Sequence, residues 1–460
     1  MEKCKTILLA CLIVLMLAAA GIYIGGSQLA AGGAADVRTA LPNGAVPVGT
    51  DAPAVRTLRD AGLLVPEAAV VSYAGASVGA YAHDIPAALT TLAFPLIHQA
   101  LESGAALSAT DRAAVTAAAA GDCIYLRLPG ALPYQLLYAL TGDIDKAAAA
   151  DFAISADTLL LAFDGDGAGH LYLAGGGVCA VSDKPVTVRA GALAALAASD
   201  ALTEMRLTDN LVPVGEASVT AFALTIEDGG EHPLQSEAGS ALLALFGFNP
   251  DRHRLSAQTV VEPHGSLSVN RTRALFAASR DGGIPITAFL EDGKDVRDID
   301  IYDILTAAAA FAERLRTASP ENFGGAATPF LKSFVRDGDG YTVSFGLVFD
   351  GIELCGAADG FLTLTSSGGM LTSVTARRLC IARAGLALTL FPAGWQYAAA
   401  AKHAGEDGIR TLRLLYEAET LPAVCDAAFY CDRLPFDAAP AESAAVSVSL
   451  IGRDESEAAQ

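Results

Sequence analysis

The chain has 460 residues, with 30 Lys and Arg against 51 Asp and Glu for a formal charge of −21, and 52% of its residues are hydrophobic. Its length suits two to four domains with packed cores. So acidic a balance argues against nucleic acid and anionic lipid surfaces as partners and keeps an exported surface dispersed.

Ile7–Gly25 (ILLACLIVLMLAAAGIYIG) carries no charge. At about 1.5 Å per residue it would make roughly 28 Å of helix, close to the thickness of a bilayer core. Lys3 and Lys5 precede it and Arg38 is the next basic residue. The positive-inside bias therefore leaves residues 1–6 in the cytoplasm and the bulk of the chain outside. Ala18-Ala19-Ala20 and Ala30-Ala31-Gly32 would also suit signal cleavage. The run is longer than a signal's apolar core, which favours an uncleaved single-pass anchor in the cell membrane. Residues 26–50, rich in Gly, Ala and Pro, read as a linker.

Residues 51–195 read as a mixed α/β domain. Ala52–Leu64 suits a helix and Ala68–Tyr73 a strand, and a helix follows over Pro86–Ser103 with Pro95 as a kink or break. A second helix, Ala109–Ala120, has Ser108 as its cap and Gly121 as its stop. Cys123–Leu128 alternates as a strand, Ala131–Leu140 suits a helix, and Thr158–Phe163 and His170–Ala174 make a hairpin across DGDGAG.

An α+β unit spans 196–297, with helical character at Ala192–Ala198 (at the junction) and Glu237–Phe246, and strands at Gln258–Glu262, Ser266–Val269 and Ala274–Ala278. A second α+β unit spans 298–436. Its helix, Ile301–Thr317, sets Ile304, Leu305, Ala308, Phe311, Ala312 and Leu315 on one face at spacings of three and four. Strands are expected at Phe330–Arg336, Tyr341–Phe349, Gly360–Thr365, Leu371–Leu379 and Leu386–Phe391. A helix follows at Pro392–His403, then a strand pair at Gly408–Tyr416 and Ala423–Tyr430. Residues 437–460 form a tail that is ordered only in part. The fold class is thus α+β: an N-terminal transmembrane helix, a mixed α/β domain and two α+β domains, each a helix with an antiparallel sheet.

No pattern specifies a reaction. Gly75-Ala76-Ser77-Val78-Gly79 matches G-x-S-x-G, but a nucleophile elbow needs a helix directly after Ser, and Pro86 starts the next helix late. Asp164-Gly165-Asp166-Gly167 and Asp337-Gly338-Asp339-Gly340 lack the later ligands of a calcium loop, and both lie between apolar runs as turns do. The seven histidines (83, 98, 170, 232, 253, 264 and 403) form no i, i+3 or i, i+4 pair. Cys123, Cys179, Cys355, Cys380, Cys425 and Cys431 are scattered without a zinc spacing, and spacing leaves open whether they pair or stay free. Asn270-Arg271-Thr272 is a sequon only in a eukaryotic host, and Trp395, the sole Trp, is expected in a core. The reading assigns no catalytic, cofactor-binding or metal-binding residue.

Three segments carry a resemblance. FLKSFVRDGDGYTVSFGLVFDGIELCGAADGFLTLTSSGGMLTSVTARRLCI, from Phe330 to Ile381, resembles the C-terminal domain of the YycH/YycI family. FGFNP (Phe246–Pro250) with the strands after it resembles the preceding domain, and CIYLRLPGALPYQLL (Cys123–Leu137) the N-terminal one. Modules of this kind often carry Pro where this chain has Glu353 and an aromatic where it has Ala423. The resemblance implies PepSY-like α+β domains on a single-pass anchor. It also implies a non-enzymatic, extracytoplasmic regulator of the WalK type of two-component sensor histidine kinase, which controls cell-wall metabolism. That kinase would be the partner, with a paired YycH/YycI-type regulator and the membrane helix as further contacts, and no nucleic acid. Two other classes compete: an exported ligand-binding or cell-surface interaction module, and a secreted hydrolase using Ser77.

Overall fold

Alternating strands joined by tight turns build two large sheets. In this computed structural model the described residues run from 62 to 447, apart from 103–106, 143–153, 190, 229–233, 235–236, 253–257, 291–298, 320–322, 324–326, 356–359, 406–408, 418–423, 426 and 434–444. All of them fall within one compact unit, Val46–Gln460. The anchor segment Ile7–Gly25, the linker and most of the helix expected at 52–64 lie outside the described residues. Among the described residues no helix is long and apolar enough to cross a membrane.

The first sheet has ten strands: β1 (Ala68–Tyr73), β2 (Ala76–Tyr81), β3 (Leu107–Thr110), β4 (Asp122–Pro133), β5 (Ser155–Phe163), β6 (Ala168–Gly175), β7 (Val178–Ser182), β8 (Val186–Thr187), β9 (Thr203–Leu207) and β10 (Pro213–Gly215). They run in the order β10-β9-β2-β1-β4-β5-β6-β7-β3, with β8 beside β6. Four helices pack on this sheet: α1 (Ala87–Ala100), α2 (Arg112–Ala119), α3 (Tyr134–Thr141) and α4 (Ala192–Ala197). Ala68 to Val71 are all buried, as a strand covered on both faces must be.

Three sequence readings shift here. Pro95 leaves α1 unbroken. Residues 107–110 form a strand, so α2 starts later and is capped by Asp111, whose carboxylate accepts the Ala114 N–H at 2.7 Å. Ser108 instead donates to Asp183. The helix expected from Ala131 begins at Tyr134, because β4 continues through an irregularity between Arg127 and Leu132, where Pro129 and Gly130 interrupt regular pairing with β5.

The second large sheet holds twelve strands: β12 (Thr259–Glu262), β13 (Gly265–Val269), β14 (Arg273–Ala278), β15 (Ile284–Pro285), β16 (Thr328–Asp337), β17 (Gly340–Phe349), β18 (Ile352–Cys355), β19 (Leu362–Ser367), β20 (Met370–Arg377), β22 (Ile409–Glu417), β24 (Ala427–Arg433) and β25 (Ala445–Ser447). Between the two sheets in sequence, β11 (Val219–Asp228) pairs with β21 (Leu379–Leu390) and with β23 (Val424–Cys425). Strand pairing ties distant stretches together: β9 joins β2, and β14 joins β20.

One face of the second sheet is apolar and packs under α6 (Ile301–Ala318), alongside α5 (Glu237–Leu245). Asp300 and Asp303 form a reciprocal capping box that starts α6. The six residues expected on its apolar face are all buried, and Phe311 meets Phe246 and Phe289 edge-on at 5.4 Å each. The sheet alternates accordingly: Val343, Phe345, Leu362, Leu364, Val374 and Ala376 are buried, while Thr342, Ser344, Thr363, Thr365, Ser373 and Thr375 between them are partly exposed. Finally α7 (Ala393–Ala404) packs on β10, β22 and β24, so it touches strands of both sheets. The architecture is α+β and mostly sheet, with seven α-helices among the described residues.

Candidate functional site

The motifs weighed for chemistry fold as structural turns. Ser77 lies on β2 of a hairpin whose turn residues Ala74 and Gly75 have φ of 50° and 82°, as a type I′ turn requires. Its hydroxyl faces that of Ser72 at 2.7 Å, and another strand, not a helix, carries it. The Asp164 carboxylate accepts the backbone N–H groups of Asp166 and Ala168, closing the β5–β6 turn. Asp337–Gly340 closes β16–β17 as a tight turn, with Asp337 opposite Gly340. Asn270 accepts the N–H groups of Thr272 and Arg273 in the β13–β14 turn. His98 stacks on Tyr138 at 4.2 Å and His264 bonds the Phe246 carbonyl. Cys123 and Cys179 are free thiols, and burial pushes the Cys123 thiol up to about 11. Among the described residues no group of three or more His, Cys, Asp or Glu is placed to hold a metal ion. Trp395 is not in a core: it is 61% exposed on α7, stacked on Phe391 at 5.7 Å. Its helix turns the opposite side inward, where Gln396 and Tyr397 are buried.

What the fold does assemble is a chain of six alternating charges along the seam between the two sheets. Asp157 on β5 lies 3.2 Å from Arg127 on β4. Arg127 also donates to the Thr158 hydroxyl at 2.8 Å and sits 3.5 Å from Glu67, the residue leading into β1. Arg413 on β22 donates to Glu67 at 2.5 Å and through a second nitrogen to Glu353 on β18. Lys332 on β16 completes the chain at 3.4 Å from Glu353. Glu353 is 3% exposed and Glu67 9%, so both carboxylates sit out of water. Backbone ties the same seam. The Leu331 N–H donates to the Leu63 carbonyl at 3.0 Å. Gly130 lets β4 approach the Lys332 carbonyl so closely that a Cβ there would collide with it. Tyr81 and Phe429 meet edge-on across the seam at 5.3 Å.

Burial governs the electrostatics. It raises the Glu67 carboxyl above the ordinary glutamate value, against the pull of Arg413 and Arg127, and the nearby charge of Glu353 adds to the rise. Burial opposes the charge on Arg127 too, but Tyr125, Asp157 and Glu67 outweigh it and hold its affinity for protons up. Burial also lifts the Tyr125 phenol to about 12, and its hydroxyl donates to the Leu211 carbonyl at 2.7 Å.

An alternating chain of this kind can lock two layers in one register and respond to charge, and it presents no nucleophile beside a base. Sequence reading did not find it, since its members come from six separate strands or strand ends. The one signal available was Glu353, which stands where modules of the kind it resembles often carry Pro.

No family model matches the chain, and no curated protein matches it. Solved structures similar to it include these two. One is YycH from Bacillus subtilis, at 11% identity and a TM-score of 0.47, covering 81% of this chain and 94% of that one. The other is an uncharacterized protein from Eubacterium rectale ATCC 33656, at 10% identity and a TM-score of 0.30, covering 54% of this chain and 86% of that one.

Proposed function

We propose that the protein is a membrane-anchored, extracytoplasmic regulator of a two-component sensor histidine kinase that controls cell-wall metabolism, acting by protein–protein contact and not by catalysis. The observation that carries this reading is the resemblance of three segments, in chain order, to three successive domains of the YycH/YycI family. Those segments build β4–α3, the turn after α5, and β16 to β21. The anchor expected at Ile7–Gly25 supports a place beside kinase transmembrane helices, with Ala18-Ala19-Ala20-Gly21 as a face where backbones can approach. Partners of the folded region would be the kinase's sensor domain or a paired regulator of the same family.

The test is genetic and biochemical together. Deleting the gene should change the phosphorylated fraction of the cognate response regulator, and an unchanged fraction refutes the reading. A pull-down of the full chain from membranes should return the kinase. Recovery of wall polymer without kinase would favour an exported binding module.

A further inference from the structure

The outer face of the second sheet, turned away from α5 and α6, is uncharged over seven adjacent strands. β12, β13, β14, β20, β19, β17 and β16 lie side by side, and each sets two outward side chains into two parallel rows. One row runs from Val261 on β12 to Val335 on β16, the other from Thr259 to Ser333. Between these ends lie Ser266 and Ser268 on β13, Ala277 and Leu275 on β14, and the half-exposed hydroxyls of β20, β19 and β17. Val261 is 68% exposed, Val335 53% and Leu275 38%. Two residues on each of seven strands make fourteen, and none is charged, where the chain's 18% of charged residues would set two or three. Charge returns at the margins. Arg273 and Arg377, opposite each other on β14 and β20, stand past one row. Asp281 and Asp337, with Arg280 and Arg336 beside them, stand exposed past the other.

We propose that a second copy of this chain docks on this face, sheet against sheet, about a two-fold axis lying in the face and crossing the strands. Each copy carries a formal charge of −21, so most of its surface repels its twin, and a face without carboxylates is where two copies can meet. Small side chains let the sheets close to about 10 Å. Every hydroxyl donates and accepts, so rows from two copies can satisfy each other directly or through water. The margins select the axis. Rotation about an axis across the strands lays β14 antiparallel over its own copy. It brings the Arg273 margin to the Asp281 margin and sets Leu275 over the small Ala277. An axis along the strands would set arginine on arginine, which costs affinity. Seven strands about 4.8 Å apart span about 29 Å, and margin to margin along the strands is about 20 Å. That is about 600 Å² per copy and about 1,200 Å² in all, the lower end of a specific interface. A dimer of about micromolar affinity fits such an area. The dimer stands or falls independently of the proposed regulatory role.

The test is sedimentation velocity of the full chain in mild detergent, from about 1 to about 100 μM, a range that spans the expected Kd. The wild type should pass from monomer to dimer across it. Ser373→Glu with Thr375→Glu, on the central strand β20, sets carboxylates against their own copies and should weaken the dimer at least about tenfold. Leu275→Arg, on a different strand, should do the same. Both lie on the exposed face, and circular dichroism checks that each variant is folded. Arg273→Glu and Asp281→Arg should each weaken the dimer, and mixing the two should restore it, since each then finds an opposite charge on the other. A chain that stays monomeric at every concentration overturns the proposal, whatever else the face binds. So does a dimer that survives both Ser373→Glu/Thr375→Glu and Leu275→Arg, because its contact then lies elsewhere, the anchor segment included. A mixture no tighter than either charge variant alone overturns the two-fold arrangement.

Discussion

Arg413 Nε lies 2.5 Å from Glu67 Oε2, a hydrogen bond between residues 346 positions apart that joins β22 to the residue leading into β1. Through its second bond, to Glu353, the same guanidinium serves two buried carboxylates from different sheets. A planar fork with several donors suits such a bridge, where an ammonium would not.

Arg413→Ala should therefore be among the most damaging single changes in the chain. It leaves Glu67 and Glu353 buried with their shared cation gone, and the expected loss is about 3–5 kcal/mol in denaturant unfolding. A triple replacement, Glu67→Gln with Arg413→Met and Glu353→Gln, removes the stranded charges and should recover most of that loss. Equal destabilisation of both variants would show that packing, not charge, governs the seam.

Phe311→Ala tests the core under the second sheet. Phe311 is fully buried between Phe246 and Phe289, so the cavity should cost about 3–5 kcal/mol. A conservative Phe311→Leu should cost clearly less in the same unfolding measurement.

Trp395 supplies an intrinsic probe, being the sole Trp and 61% exposed. Its emission should be that of a water-facing indole and acrylamide should quench it efficiently in the folded protein. Trp395→Ala should cost less than about 1 kcal/mol, the scale of the Phe391 stack it removes. Blue-shifted, unquenched emission would place the side chain in a core after all.

Alkaline pH should weaken the first sheet through Tyr125. Its folded value of about 12 lies above the ordinary 10, because burial disfavours the phenolate. The folded state thus holds this proton more tightly than the unfolded chain. The contribution to stability is complete below pH 10 and disappears as the pH rises through about 12. Unfolding free energies measured across that range should fall less steeply for Tyr125→Phe than for the wild type.

Much of the local structure was legible from residue patterns. Ala68–Tyr73 is β1 with the same limits, and the period of Ile301–Thr317 named the buried face of α6 correctly, since both follow from periodicity that one segment can satisfy alone. The boundary at 107–110 was misread because capping chemistry is ambiguous: Ser108 and Asp111 are both good caps, and only pairing with β7 makes the first of them a strand residue. Trp395 was expected in a core, but which side of α7 faces inward depends on β10, β22 and β24, which the helix cannot encode by itself.

By itself, then, the sequence determined the α+β class, the turns and the apolar face of α6. These depend on neighbours within a few residues. The tertiary structure alone decided the ionic seam. Glu67, Arg127, Asp157, Lys332, Glu353 and Arg413 look like ordinary surface charges in sequence, and each acquires its burial and its partner only when six distant stretches of chain meet. Desolvation is a property of what surrounds a group in space, and no local pattern carries that information.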